Sequence, residues 1–305
     1  MTNSGSDTGR HAALRGPTGR SEPRLTALCD GWRTLVEERE RQADRLRDGV
    51  VAPPPAADYW AGQAEAFDAA ARRQPMEIDP LFQHLRPLVG GRRLLDVGAG
   101  TGRYAVPLSR VAAAVTAVEP SAGMRARLER RLAEAGASGV TVVPAAWPVE
   151  VPAHDVALVA HAIYGTRDIG GFLDGLEEAA ALRIVVMRVE PMGATIAPVF
   201  AHLHGEPRLP DPTAATLLSI LHARGLRPAV RTVPHQTGAR FPDQAAALSW
   251  VADQCLLPAG DPRRRDLERL LSPLLTPVEG GLGWARPLRS AIISWGDAVT
   301  HTPEA

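Results

Sequence analysis

The chain has no lysine: all 34 of its basic residues among 305 are arginine. A phosphate-gripping P-loop lysine, a Schiff-base lysine and a lysine general base are therefore excluded at once. Cysteine is nearly as scarce, with Cys29 and Cys255 alone and no CxxC pair. This points to a reducing compartment and away from a structural zinc site. No run of eighteen apolar residues occurs, and the polar first residues lack an apolar signal core, so a cytoplasmic protein without a membrane partner is expected. Net charge is also missing, since 34 acidic residues balance the arginines, and no clustered basic face offers a footprint for nucleic acid.

The remainder is an ordinary globular composition, 45% hydrophobic and 22% charged, long enough to bury a full core. Residues 1–22 read as a disordered tail, 23–78 as a helical cap, 79–235 as the core, 236–280 as a helical insertion, 281–297 as a last core strand and 298–305 as a tail. Within the core, apolar runs at 93–97, 115–119, 140–143, 155–160, 182–189 and 226–233 alternate with helical patterns near 103–110, 122–135, 169–181 and 212–224. That alternation predicts an α/β fold with a doubly wound, mostly parallel seven-stranded sheet. Asp79–Pro80 reads as an N-cap followed by proline at the first helical position.

The most informative stretch is LLDVGAGTGRYAVPLSR, residues 94–110, where a strand runs into Gly98, Gly100 and Gly102 and then into a helix. Glycine there permits positive φ and close approach of a ligand to main-chain atoms, and the following helix offers free N–H groups. The spacing is GxGxG. A dinucleotide fingerprint requires a third glycine where Arg103 stands, which weakens a nicotinamide-dependent oxidoreductase as an alternative. Glu119 ends the next strand, placed to accept hydrogen bonds from two vicinal ribose hydroxyls.

Together, Asp96, the three glycines and Glu119 resemble the first two motifs of the class I S-adenosylmethionine-dependent methyltransferases. The resemblance spans about 80–235 plus the final strand. It implies that Asp96, Gly98, Gly100 and Gly102 hold the methionine part of S-adenosyl-L-methionine and that Glu119 holds its ribose. Where many members have an acidic residue this chain has Ala145, so adenine recognition falls to main-chain groups near Ala146 and to packing by Trp147. His161, after the fourth strand, and Tyr164 are the candidate catalytic residues, His161 also as a cofactor contact. Tyr59 is expected over the cofactor. Trp60 and, in the insertion, Trp250 are expected to wall the substrate pocket.

The implied reaction is an SN2 methyl transfer to a small, partly apolar molecule, with no metal required. Nucleic-acid bases are disfavoured because Ala160–Tyr164 lacks the Pro–Pro–aromatic motif of amino-methylating DNA enzymes. A catalytically silent S-adenosylmethionine-binding sensor or subunit is the alternative from another class. Two further features read as bland: His202 and His204 as solvated loop histidines, and Asp174, Glu177 and Glu178 as a solvated helix face.

Overall fold

The computed structural model describes residues 22–47, 59–73, 76–235 and 240–297. Both expected tails fall almost wholly outside these residues. Helices α1 (Glu22–Arg47) and α2 (Tyr59–Arg73) precede α3 (Pro80–Val89). The core then runs β1 (Arg93–Val97), α4 (Ala105–Leu108), β2 (Ala114–Val118), α5 (Ala122–Glu134), β3 (Val140–Val143), β4 (His154–Ala160), α6 (Ile169–Ala179) and β5 (Ala180–Arg188). It continues through α7 (Ala197–His204), α8 (Ala214–Ala223) and β6 (Ala229–His235). After β7 (Arg240–Phe241), α9 (Gln244–Gln254), α10 (Arg264–Leu271), β8 (Leu275–Val278) and β9 (Gly281–Trp284), the chain closes with β10 (Leu288–Gly296).

The main sheet has seven strands in the order β3-β2-β1-β4-β5-β10-β6, and β10 alone runs antiparallel to its neighbours. Both faces are covered, which is why its strands are almost uninterrupted apolar runs. On one face Leu94, Val156, Leu158, Ile184 and Ile292 pack against α3, α4 and α5. On the other, Val97, Val159, Val185 and Ile293 pack against α1, α6 and α8. Trp32 of α1 is fully buried there, and its indole N–H donates to Thr166 O at 2.8 Å, which fastens α1 to the loop after β4. Asp79 caps α3 as expected, accepting from Leu81 N at 2.8 Å and Phe82 N at 3.3 Å, with Pro80 in the first turn.

The insertion differs from the helical segment the sequence predicts. It contains a three-stranded antiparallel sheet, β7-β9-β8, so Gly281–Trp284 pairs within the insertion and the last core strand begins only at Leu288. Short strands holding glycine and proline carry little periodicity, which hid this sheet. The segment also recruits α7, unforeseen in the sequence, into a separate apolar core of Val199, Phe200, Phe241, Val251, Leu267 and Trp284. His204 lies on that helix with its Nε2 2.7 Å from Cys255 O, so it is a packed residue and not a solvated one. Asp174 and Glu177 stay on a solvent-facing side of α6, where Arg224, just past α8, bridges them at 2.7 and 3.3 Å.

Candidate functional site

At the carboxyl end of β1 the three glycines each answer a different constraint. A Cβ on Gly98 would stand 2.4 Å from the Cβ of Ala162, and one on Gly102 would stand 2.4 Å from Leu128 Cδ1, so both allow close packing. Gly100, with φ of +56°, would meet nothing within 4 Å. The loop thus turns the main chain of its middle glycine toward open space, the cradle a ligand needs. Asp96 lies beneath it, 2% exposed, and accepts a hydrogen bond from Ala105 N. It fixes the exit of the loop into α4 and does not offer the ligand-facing surface the resemblance implies.

Burial and then the nearby charge of Glu119 push the Asp96 carboxyl up to about 7. A carboxyl whose folded pKa is raised holds its proton longer in the native state, so stability falls as pH rises from about 4 to about 7 and then levels off. Asp96→Asn keeps an acceptor oxygen without the charge. Its Tm is expected to exceed that of the parent by about 5 °C at about pH 8 and to match it at about pH 4. A gain that is the same at both pH values would show that charge is not the cause.

Glu119, 6% exposed, braces the same loop from β2. Its carboxylate accepts from Gly100 N at 2.8 Å and from Ser121 N at 2.9 Å. Ser121 in turn caps α5, accepting from Met124 N at 3.2 Å. Beside that cap, Gly123 admits the start of α2, since a Cβ there would stand 2.5 Å from Ala61 Cα. Helix α2 therefore begins next to Glu119, on the expected ribose side. The Tyr59 side chain lies outside the described residues, and Trp60 is 48% exposed.

Across β4, His161 has a φ of +58°, a conformation uncommon for a residue with a side chain. Two bonds hold it there: its N–H donates to Val186 O at 2.9 Å, and its Nδ1 lies 3.1 Å from the Tyr164 hydroxyl. That hydroxyl accepts from Arg188 N at 2.7 Å and keeps its own proton free to donate to His161 Nδ1, the arrangement in which the ring proton sits on Nε2. Burial, aided by the Arg188 charge, pulls His161 down to about 3. His235 at the end of β6, with ring centroid 6.3 Å from His161, is pulled down to about 4 by burial and then Arg188, and its Nε2 bonds Ser290 Oγ at 2.7 Å. Both rings are neutral at pH 7. The carboxyl edge thus brings His161 and Tyr164 together as expected and adds Arg188 and His235, which sequence reasoning missed. The available signal was an arginine and a histidine ending β-rich runs.

The other expected residues are placed as follows. Ala146 is exposed just past β3. Trp147 directs its indole N–H to Phe172 O at 3.1 Å and sets its ring edge-on to Phe172, so part of it is committed to α6. Trp250 packs 5.7 Å from Phe241 and 5.9 Å from Trp284, inside the core of the insertion, and these contacts do not bring it to the glycine loop. Among the described residues, no group of three or more His, Cys, Asp or Glu is placed to hold a metal ion, and no helix is long and apolar enough to cross a membrane.

Residues 94–175 match the family described as a methyltransferase domain, while no curated protein matches the chain in sequence. Among solved structures, the YcgJ protein from Bacillus subtilis is similar at 16% identity, covering 71% of this chain and 96% of its own, with a TM-score of 0.47. Magnesium protoporphyrin IX methyltransferase from Synechocystis PCC 6803, with bound S-adenosylhomocysteine, shares 14% identity over 89% of this chain and 99% of its own, with a TM-score of 0.45. These structural likenesses are loose and add no weight to the family match. The stretch that carries β1, the glycine loop, Glu119 and the loop after β4 is thus the one that matches a methyltransferase domain.

Proposed function

We propose that this protein is a cytoplasmic enzyme that methylates a small, partly apolar molecule, with Glu119 and the Gly100 main chain holding the cofactor and the His161–Tyr164 pair facing the acceptor. The observation that supports this most is the pairing of an open glycine main chain with a buried carboxylate on one side of β4 and a neutral polar cluster on the other. When bound, S-adenosylmethionine supplies a methyl group already activated as a sulfonium. What remains for the chain is to hold an acceptor in line, keep it dry and accommodate its proton.

In this reading Gly98, Gly100 and Gly102 shape the cradle, Asp96 fixes it from below, and Ala146 and Trp147 border the adenine side. The start of α2, which meets Gly123 through Ala61, closes over the ribose side, with Trp60 toward the acceptor. The insertion covers the acceptor side, since β5 and β6 run out to it and β10 comes back from it at the carboxyl edge. Trp250 then acts through the packing of that cover and not as a direct pocket wall. His161, neutral and with Nδ1 engaged by Tyr164, orients the acceptor through its Nε2–H and does not store a proton.

Two measurements test this. Methyl transfer to a panel of small aromatic and heterocyclic acceptors, followed by S-adenosylhomocysteine release, is expected to show turnover; tight cofactor binding without any turnover would favour the silent binder. For His161, the acid limb of kcat/KM is expected to lack an inflection near pH 6.5, because a group at about 3 stays neutral throughout that range. His161→Gln, which retains an N–H donor, should keep activity within about tenfold of the parent, whereas His161→Ala should lose about a hundredfold. Equal loss in both, together with an inflection near neutrality, would restore His161 as the base.

A further inference from the structure

We propose that Arg188 is the anion-binding residue of the acceptor pocket, so that the molecule methylated carries a carboxylate or a comparably small acidic group. This rests on the methyl-transfer reading above. Arg188 is the last residue of β5, and alternation along the strand sets it on the face of Leu182, Ile184 and Val186, against which α3 and α4 pack. On that same face, at the same edge, its register partner Ser290 is bonded to His235. The guanidinium is therefore partly buried beside two neutral imidazoles, the Tyr164 phenol and the Ser290 hydroxyl, and the one acid whose charge reaches it is Glu190.

Nearby acids are already taken. Glu190 is held by Arg289, Asp211 by Arg208 at 2.7 Å and Asp79 by Arg103 at 2.5 Å. Among the described residues, the Arg188 guanidinium has no hydrogen-bond or ion-pair partner, although its main-chain N–H serves Tyr164. A partly desolvated charge without a counter-ion costs stability, and a bound anion that accepts charge-assisted hydrogen bonds offsets that cost.

The anion belongs to the acceptor and not to the cofactor on grounds of position. In the sheet order, Arg188 lies three strand spacings from β2 and Glu119, roughly 14 Å, with β1 and β4 between them. The cluster it joins extends away from the ribose side, through β10 to β6. An acid anchored at Arg188 leaves the rest of the molecule to run back toward His161 and β4, the neighbour of β1 and its glycine loop.

The test titrates the protein, saturated with S-adenosylhomocysteine, with acetate, benzoate and inorganic phosphate, and with acetamide and benzamide as uncharged twins. At least one acid is expected to bind about tenfold or more tightly than its uncharged twin, or, for phosphate, than either amide. Arg188→Gln should abolish that preference and Arg188→Lys should retain part of it, with the S-adenosylhomocysteine dissociation constant unchanged within about twofold in both. No preference for any acid in the parent protein overturns the proposal, whether or not the variants fold. Loss of S-adenosylhomocysteine affinity in Arg188→Gln would instead assign the arginine to the cofactor's own carboxylate and overturn it equally. Failure of the parent to bind S-adenosylhomocysteine at all would sink the methyl-transfer reading, a result separable from intact cofactor binding without acid preference.

Discussion

Glu119→Ala is expected to raise the dissociation constant for S-adenosylhomocysteine about ten- to a hundredfold. Hydrogen bonds to a charged group contribute about 1.5–3 kcal/mol, and each 1.4 kcal/mol is about a factor of ten in affinity. The structure adds a second reason. The same carboxylate holds Gly100 N and Ser121 N, so alanine also unties the middle of the cradle and the approach to α5. Glu119→Gln keeps one acceptor oxygen and should fall between the two. Calorimetric titration of the three proteins measures the series, and an unchanged constant for the alanine variant would remove Glu119 from the cofactor site.

Valine at two neighbouring glycines should give opposite failures. At Gly98 the first added carbon already stands 2.4 Å from Ala162 Cβ, at a φ of +72°, so Gly98→Val must displace the loop after β4 and is expected to unfold early, its Tm down by about 10 °C or more. At Gly100 an added Cβ meets no other group within 4 Å, and the internal cost is the left-handed backbone, about 1–2 kcal/mol and somewhat more for a β-branched residue. Gly100→Val should therefore stay folded while S-adenosylhomocysteine binding falls more than about a hundredfold. Thermal melts beside titrations read both effects. A Gly100→Val protein that binds normally would mean that the ligand does not rest on this loop.

Much of this site is legible in the sequence because its constraints are local. A glycine that must turn, a carboxylate at a strand tip and an aspartate before a proline each declare themselves within a few residues, and the strands of 93–97 and 140–143 coincide with the observed β1 and β3. Arg188 and His235 were not legible in this way. They lie far apart in the chain and meet only because β10 inserts between β5 and β6, a pairing that no periodicity encodes. Trp250 was harder to place for a related reason. An apolar side chain on an inserted helix looks the same whether it walls a pocket or fills the core of the insertion, and here Phe241 and Trp284 claim it. Asp96 shows the converse: its neighbourhood in sequence is that of a ligand residue, but its depth of burial makes it a brace.

The reversed last strand has a consequence for how such a protein can diversify. Because β6 runs outward and β10 returns antiparallel beside it, any length of chain spliced between them is delivered to the rim above His161 and Arg188 without altering the register of the sheet. The present segment packs Val251, Leu267 and Trp284 into an apolar core shared with Val199 and Phe200 of α7, so an exchange of the segment has to keep or replace that contact with the rest of the chain. Replacing it would leave Gly100 and Glu119 untouched and remodel only the roof. The chain between β6 and β10 is thus free to change at a different rate from the stretch that holds Gly100 and Glu119.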